Sequence, residues 1–192
     1  WPGLLGVPDD AAALANASYL DDLIRIELPT AADVRHDPIR VRRLVESLAR
    51  NVATEAKIVS LAADVNADGG DTHATTLRVY LDALERVFAV EPQPAWNVAL
   101  RSRSRLRTTA KVHFVDPSLA CAALRVGADR LARDVDYFGC VFESMVVRDL
   151  RVYASLDRGE VFHYRDNTGL EVDVVIEPGQ RVRIVLGARQ RP

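Results

Sequence analysis

The clearest alternation of apolar and polar positions lies near the end of the chain. Acidic and apolar side chains alternate from residue 171 onward, with the two-residue period of a β-strand. The pattern predicts a strand with Glu171 and Asp173 together on one side. The opposite side is apolar and carries Val172, Val174 and Ile176.

Further elements surround this strand. A strand before it is joined through the tight turn Asn-Thr-Gly at residues 167–169, and a third strand is predicted at residues 180–186 after a Pro-Gly turn. A helix that ends near residues 148–151 precedes all three. The predicted order is helix, strand, strand, strand.

Apolar residues at three- and four-residue spacing predict helices in the first half of the chain. One helix begins at Pro8 and ends at Leu28, directly before Pro29. A second begins with Asp37 as N-cap and Pro38 at the first helical position. These segments predict a helical N-terminal region.

Two further helices, at residues 58–65 and 72–87, precede an alternating stretch and are typical of a winged helix-turn-helix. Asp71 or Thr72 is the expected cap of the second helix. Its first turns would face a DNA major groove with His73, Thr75, Thr76 and Arg78. A packing unit without a DNA role explains the same pattern, and the acidic loop at residues 67–71 would repel phosphate.

An alternating row of arginines follows. It consists of Arg101, Arg103, Arg105 and Arg107. In a strand, all four guanidinium groups would lie on one face and could bind an anionic backbone as the wing. A solvated edge strand, in which charge prevents edge-to-edge pairing, fits equally well. Both interpretations stay open.

Residues 111–115 predict a strand, and Asp-Pro-Ser at residues 116–118 begins a helix. Helical material continues to about residue 150, with breaks expected near Gly127 and Gly139. His113 lies inside the strand, and we interpret it as a packed or surface histidine rather than a metal ligand.

Composition and charge limit the kinds of binding site and partner that the sequence predicts. The 48% hydrophobic content suffices for a core, and a net charge of −2 gives no general attraction to nucleic acid, so such a site must be a local patch. Two cysteines indicate neither a zinc site nor a disulfide framework, which favours a cytoplasmic setting. The sequence contains no run of about 20 apolar residues, no signal peptide and no Walker A loop. We therefore expect no membrane span and no ATP site in this chain.

Four segments carry a family resemblance: Val-His-Phe-Val-Asp-Pro-Ser-Leu at residues 112–119, Phe-Glu at 142–143, Phe-His-Tyr-Arg at 162–165 and Gly-Leu-Glu-Val-Asp-Val-Val at 169–175. Their order resembles the core of the PD-(D/E)XK nuclease fold. More narrowly, it resembles the C-terminal region (domain of unknown function 4143) of a prokaryotic family of AAA-type ATPases, over nearly the whole chain.

The resemblance implies an α+β or α/β fold in three parts. Residues 1–36 would be a helical linker that follows an ATPase module missing from this chain. Residues 37–110 would be a winged helix-turn-helix domain, and residues 111–192 a small nuclease-like α-β-β-β domain. ATP and Mg²⁺ are implied as cofactors for the missing module alone.

The resemblance also locates a site. In the nuclease fold, carboxylates from the helix and the second strand join a Glu-x-Lys pair on the third strand around a divalent metal. Glu143 and Asp173 match the first two positions, but Arg183 and Val185 fall where the Glu and Lys would be. We expect a vestigial site that cannot cut DNA, with Arg183 paired to Asp173 or Glu143. If the site were active, Glu143 and Asp173 would bind Mg²⁺.

The sequence therefore predicts a non-catalytic DNA-binding or regulatory region. Two alternatives remain, a metal-dependent nuclease-like enzyme and a protein-docking module with no nucleic-acid role. The expected partners are DNA, an ATPase module of the same or another chain, and further copies of the chain, with no membrane partner.

Overall fold

The computed structural model describes residues 2–32, 36–96, 109–166, 170–178 and 183–190; in the last range it gives the backbone together with Gly187. The first elements are α1 (Asp9–Asp22), α2 (Leu28–Ala32), α3 (Pro38–Arg50), β1 (Thr54–Glu55), α4 (Ile58–Val65), α5 (Ala74–Arg86), β2 (Val90–Gln93) and β3 (Lys111–Phe114). They are followed by α6 (Pro117–Ala123), α7 (Ala128–Arg133), α8 (Val135–Leu156), β4 (Gly159–Arg165), β5 (Leu170–Pro178) and β6 (Arg183–Gln190). The fold is α+β, as the sequence predicted.

Two helices begin at an Asp-Pro pair, as expected. Asp37 accepts a hydrogen bond of 2.9 Å from the backbone N–H of Ile39, and Asp116 accepts one of 2.9 Å from that of Ser118. In both cases proline is the first helical residue, where its missing N–H costs no helical hydrogen bond. The starts of α3 and α6 are therefore determined locally.

The prediction that the first helix ends before Pro29 is wrong. A π-helical turn, Leu23–Glu27, joins α1 to α2, and the N–H of Leu28 bonds to the carbonyl of Leu23. Pro29 is the second residue of α2, and the first turn of a helix tolerates proline. The chain therefore stays helical up to Ala32.

Two other helix boundaries also differ from expectation. The N-cap position of α5 is His73, without a side-chain capping bond, because Thr72 is buried and its N–H donates to Asn66 Oδ1 at 2.8 Å. Helix α8 continues through Gly139 to Leu156, and the break lies at Asp134, which caps α8 through the N–H of Tyr137 at 3.0 Å.

The first sheet has the order β1-β3-β2, and both pairings are antiparallel. Because β3 begins at Lys111, this sheet extends one strand beyond the boundary predicted at residue 110. Val112 and Phe114 of β3 pack into the main core, which the N-terminal helices and α6 also line. By alternation, Lys111 and His113 lie on the opposite side of the strand.

The second sheet has the order β4-β5-β6 and meets the first at its edge. The N–H of His163 donates to the carbonyl of Pro94 at 3.0 Å, and the N–H of Trp96 donates to the carbonyl of His163 at 2.6 Å. These bonds continue from β2 and form a short parallel bridge to β4. The backbone thus joins the two sheets directly.

Strand β5 departs from strict alternation. The register with β4 shifts so that Asp173 and Val174 together face the single residue His163, which is a β-bulge. After the bulge, Val174 packs on α8 while Val172 packs with Phe162 on the other side. The prediction of one wholly apolar side is therefore wrong, because the side facing α8 is acidic in its first half and apolar in its second.

Because Gly187 of β6 has no side chain, the carboxylate of Asp173 can lie directly against it. Its φ is +75°, and a β-carbon built on it would lie 2.1 Å from Asp173 Oδ2. Any larger residue would displace the carboxylate. No helix in the part of the chain that the structure describes has the length and apolar character needed to cross a membrane.

We expect Gly187→Ala to lower the free energy of unfolding by about 3 kcal/mol or more, because backbone strain and a collision with Asp173 add together. Gly69→Ala is the matched control, since Gly69 has a φ of +83° but nothing within 4 Å of the added carbon. It should cost about 1 kcal/mol. Urea denaturation measures both, and equal losses would contradict the collision.

Candidate functional site

The most unusual feature of the structure is a buried lysine among three carboxylates. Lys111 Nζ lies 2.7 Å from Glu143 Oε1, 3.1 Å from Asp173 Oδ1 and 3.2 Å from Glu171 Oε1. The lysine side chain is 4% exposed, and the three acidic side chains are at most 13% exposed. We name these four residues the Lys111 cluster.

The four members come from three elements of the fold. Lys111 is the first residue of β3 and points away from the helical core, Glu143 lies on α8, and Glu171 and Asp173 lie on β5. The bulge that follows Asp173 keeps both β5 carboxylates on the side that faces α8. The cluster therefore connects the first sheet, α8 and the second sheet.

The electrostatics keep Lys111 charged. Burial alone would lower its pKa, but Glu143 and then Asp173 outweigh that effect, so that the pKa is raised. The ammonium is therefore a permanent counter-ion at neutral pH. Charges this well buried are tolerated only when they are paired and hydrogen-bonded, as they are here.

Gln93 extends the buried polar contacts beyond the Lys111 cluster. Its Nε2 donates to the carbonyls of Phe162 and Asp173, at 3.0 Å each, and so spans β4 and β5 at the bulge. Its Oε1 accepts a hydrogen bond of 2.9 Å from His113 Nε2. The Gln93 side chain of β2 therefore makes hydrogen bonds to β3, β4 and β5.

The two histidines beside these contacts are held neutral. Burial, reinforced by Arg151, Lys111 and His163, lowers the pKa of His113 to about 3. Burial and then Lys111 also lower the pKa of His163. A neutral His113 with its proton on Nε2 is the form that donates to Gln93.

The structure brings together two of the residues that the sequence assigned to a vestigial site, Glu143 and Asp173. Whether Arg183 pairs with them stays a prediction, because the side chains of Arg183 and Val185 lie outside the described residues. The described cation between the two carboxylates is Lys111.

A divalent metal does not fit this arrangement. The Lys111 ammonium lies within hydrogen-bonding distance of the carboxylates that would be its ligands. Within the described ranges, no group of three or more His, Cys, Asp or Glu side chains has a geometry that could hold a metal ion. Cys121 and Cys140 form no disulfide bond.

The predicted nucleic-acid residues fall into two groups. At the start of α5, His73, Thr75 and Arg78 are exposed and Thr76 is half-buried, so these side chains are accessible. The arginine row, Arg101, Arg103, Arg105 and Arg107, lies outside the described residues.

Sequence reasoning missed Lys111, Gln93 and the role of Glu171. A signal was present, since a lysine and a histidine alternate with Val112 and Phe114 in a strand that is otherwise apolar. A charged residue inside such a strand indicates a buried partner. Which acids would meet it depends on tertiary contacts 32 to 62 residues away.

Two protein-family models match the chain. A domain of unknown function (DUF8612) matches residues 1–130, and a second domain of unknown function (DUF4143) matches residues 138–186. The expected resemblance to DUF4143 is thus confirmed for the last part of the chain, while the larger first part matches a different family. No curated protein and no solved structure gives a significant match.

Replacement of Lys111 by methionine should lower the free energy of unfolding by about 3–5 kcal/mol, because it leaves three buried carboxylates without their ammonium. Lys57, the other lysine of the chain, is exposed, and Lys57→Met should cost less than about 0.5 kcal/mol. Chemical denaturation of both variants at neutral pH checks this. A loss at Lys111 no larger than that at Lys57 would contradict a counter-ion role.

Stability should fall as the pH drops below about 6.5. The unfolded chain takes up a proton on His113 near that pH, whereas the folded state resists it down to a pKa of about 3. His113→Gln, which can still donate to Gln93, should reduce the loss of unfolding free energy between pH 6 and pH 5 by about 1 kcal/mol. His73→Gln, at an exposed position, is the control for the substitution. An unchanged pH slope in His113→Gln would refute the assignment.

Proposed function

The chain belongs to the DUF8612 family, and we propose that it is a non-catalytic DNA-binding module. In this proposal a winged helix contacts duplex DNA, and a nuclease-like α-β-β-β unit supports it without cutting. The observation that carries the proposal is the element order α3-β1-α4-α5-β2-β3 together with the sheet order β1-β3-β2. That order is typical of a winged helix-turn-helix.

The exposed start of α5 supports a recognition role. His73, Thr75 and Arg78 are the types of side chain that contact phosphates and base edges from the first turns of a recognition helix. The core side of α5 is occupied instead by buried residues, among them Leu77 and Leu84. Helix α5 therefore packs against the core with one side and exposes its other side to solvent.

The acidic loop before α5 is less repulsive to phosphate than its sequence suggested. Arg43 Nη2 lies 2.6 Å from Asp68 Oδ2, and Arg40 Nη2 lies 3.5 Å from Asp71 Oδ1. Both arginines come from α3 and partly neutralise the loop. This weakens the strongest sequence argument against DNA binding.

The connection between β2 and β3 supplies the positive charge in the proposal. In a winged helix this connection is the wing, and here its sequence contains the row Arg101, Arg103, Arg105 and Arg107. Guanidinium groups bind phosphate without reading sequence, so the wing would contribute affinity and α5 would contribute position.

The Lys111 cluster favours a binding role over hydrolysis. A nuclease of this type needs its carboxylates available to a divalent cation, and an ammonium now lies among them. The expectation that an ATPase module acts beside this chain stays part of the proposal, and it rests on the family resemblance of the sequence segments at residues 112–119, 142–143, 162–165 and 169–175.

Binding of a fluorescent DNA duplex, measured by anisotropy from about 50 to 200 mM salt, tests the proposal. We expect the logarithm of the binding constant to fall linearly with the logarithm of the salt concentration. The double variant Arg103→Ala/Arg105→Ala should reduce that slope by about two units, because each phosphate contact contributes about 0.9.

The matched control is Arg130→Ala/Arg133→Ala on α7, where both arginines are exposed and distant in sequence from α5 and the wing. It should leave the slope unchanged. Absence of binding at low salt, or equal losses in both double variants, would favour a protein-docking module. Nicking of plasmid DNA by the wild-type chain in Mg²⁺ would favour the nuclease alternative.

A further inference from the structure

Helix α8 carries an exposed apolar stripe that no described element covers. It consists of Val135, Phe138, Phe142, Met145, Val152 and Leu156, which we name the α8 stripe. Exposure ranges from 38% at Met145 to 81% at Leu156. The opposite side of the helix packs on the protein through Ser144, Val147 and Ala154, all buried. The stripe is thus a second apolar face on a helix that is already packed.

The spacing of the α8 stripe is that of a helix-pairing seam. Its members follow one another at three, four and three residues, and after Asp149 the same alternation continues to Leu156. This is the a/d pattern by which two helices interlock, with Asp149 as the one polar position. A solvated helix face has no physical reason to keep such a pattern.

The exposed apolar area of the α8 stripe is also close to the area that one partner buries in a protein–protein interface. The α8 stripe exposes roughly 600 Å² of apolar side chain, near the roughly 800 Å² that each partner buries in an interface of standard size. Apolar patches above a few hundred Å² on soluble proteins usually mark interaction sites. Phe138 and Phe142 lie next to each other in the stripe, with ring centroids 6.2 Å apart.

We propose that the α8 stripe joins two copies of this chain through an antiparallel, two-fold symmetric helix pair centred on Met145. The stripe is nearly symmetric about that residue, so that Phe138 would lie opposite Val152 of the second copy, and Val135 opposite Leu156. An isologous contact needs such self-complementarity. This proposal is independent of DNA binding.

Charge selects the antiparallel direction. In a parallel pair in register, the two Asp149 carboxylates would meet inside the seam, where like charges are destabilising. In the antiparallel pair, the ring of Phe142 lies instead opposite Arg148 and Asp149, which are already joined by a salt bridge of 2.8 Å. An arginine facing an aromatic ring is favourable.

Sedimentation equilibrium measures the assembly state. Wild-type protein should have the mass of a dimer, and Phe142→Arg should show a twofold lower mass while its far-ultraviolet circular dichroism remains that of the folded wild type. Val59→Arg is the matched control, because Val59 on α4 is also exposed (74%, against 50% for Phe142) but lies outside the stripe. It should remain dimeric. A monomeric wild type at high micromolar concentration, or dissociation by Val59→Arg, would overturn the proposal.

Disulfide cross-linking tests the direction independently. Both natural cysteines, Cys121 and Cys140, are first changed to serine. Met145→Cys should then form a covalent dimer on mild oxidation, because the two residues meet at the symmetry axis. Leu156→Cys should not, since its two copies would lie about 33 Å apart at 1.5 Å per residue. Efficient cross-linking of Leu156→Cys with itself would establish a parallel pair and refute the antiparallel one.

Discussion

The contact between the Lys111 ammonium and three carboxylates governs how this chain is assembled. Its members are contributed by β3, α8 and β5, so none of these elements satisfies its own buried charge. Taking charges out of water is costly, and the cost is recovered only when all partners are in place. The relative position of the two sheets is therefore coupled to the formation of the cluster.

This coupling crosses the boundary between the two family matches. Lys111 and Gln93 lie in residues 1–130, whereas Glu143, Glu171 and Asp173 lie in residues 138–186. The hydrogen bonds of Gln93 to the carbonyls of Phe162 and Asp173 cross the same boundary. Two regions that are separate as sequence families thus share one buried polar interface.

Local chemistry explains what the sequence predicted well. Asp-Pro pairs begin α3 and α6, and the alternation of Glu171 and Asp173 correctly put both carboxylates on one side of β5. Each of these features depends on neighbours within a few residues. The joint location of Glu143 and Asp173 came from family resemblance rather than from spacing.

Non-local contacts explain what was missed. The bulge after Asp173 depends on pairing with β4, and Lys111 finds its acids only after the second sheet docks. A break was expected at Gly139 because glycine has a low helix propensity. Helix α8 nevertheless continues through Gly139, since packing in the assembled fold compensates for that low propensity. These features are properties of the assembled fold.

The choice of lysine at position 111 has a geometric consequence. Among 25 lysine and arginine residues, the chain contains two lysines, and one of them is at this site. An ammonium group directs three N–H bonds tetrahedrally and can reach three separate acids, whereas a flat guanidinium fork favours the two oxygens of a single acid. Arginine, which carries nearly all the positive charge of this protein, therefore has the wrong shape for the site of Lys111, the most buried positive charge in the part of the chain that the structure describes.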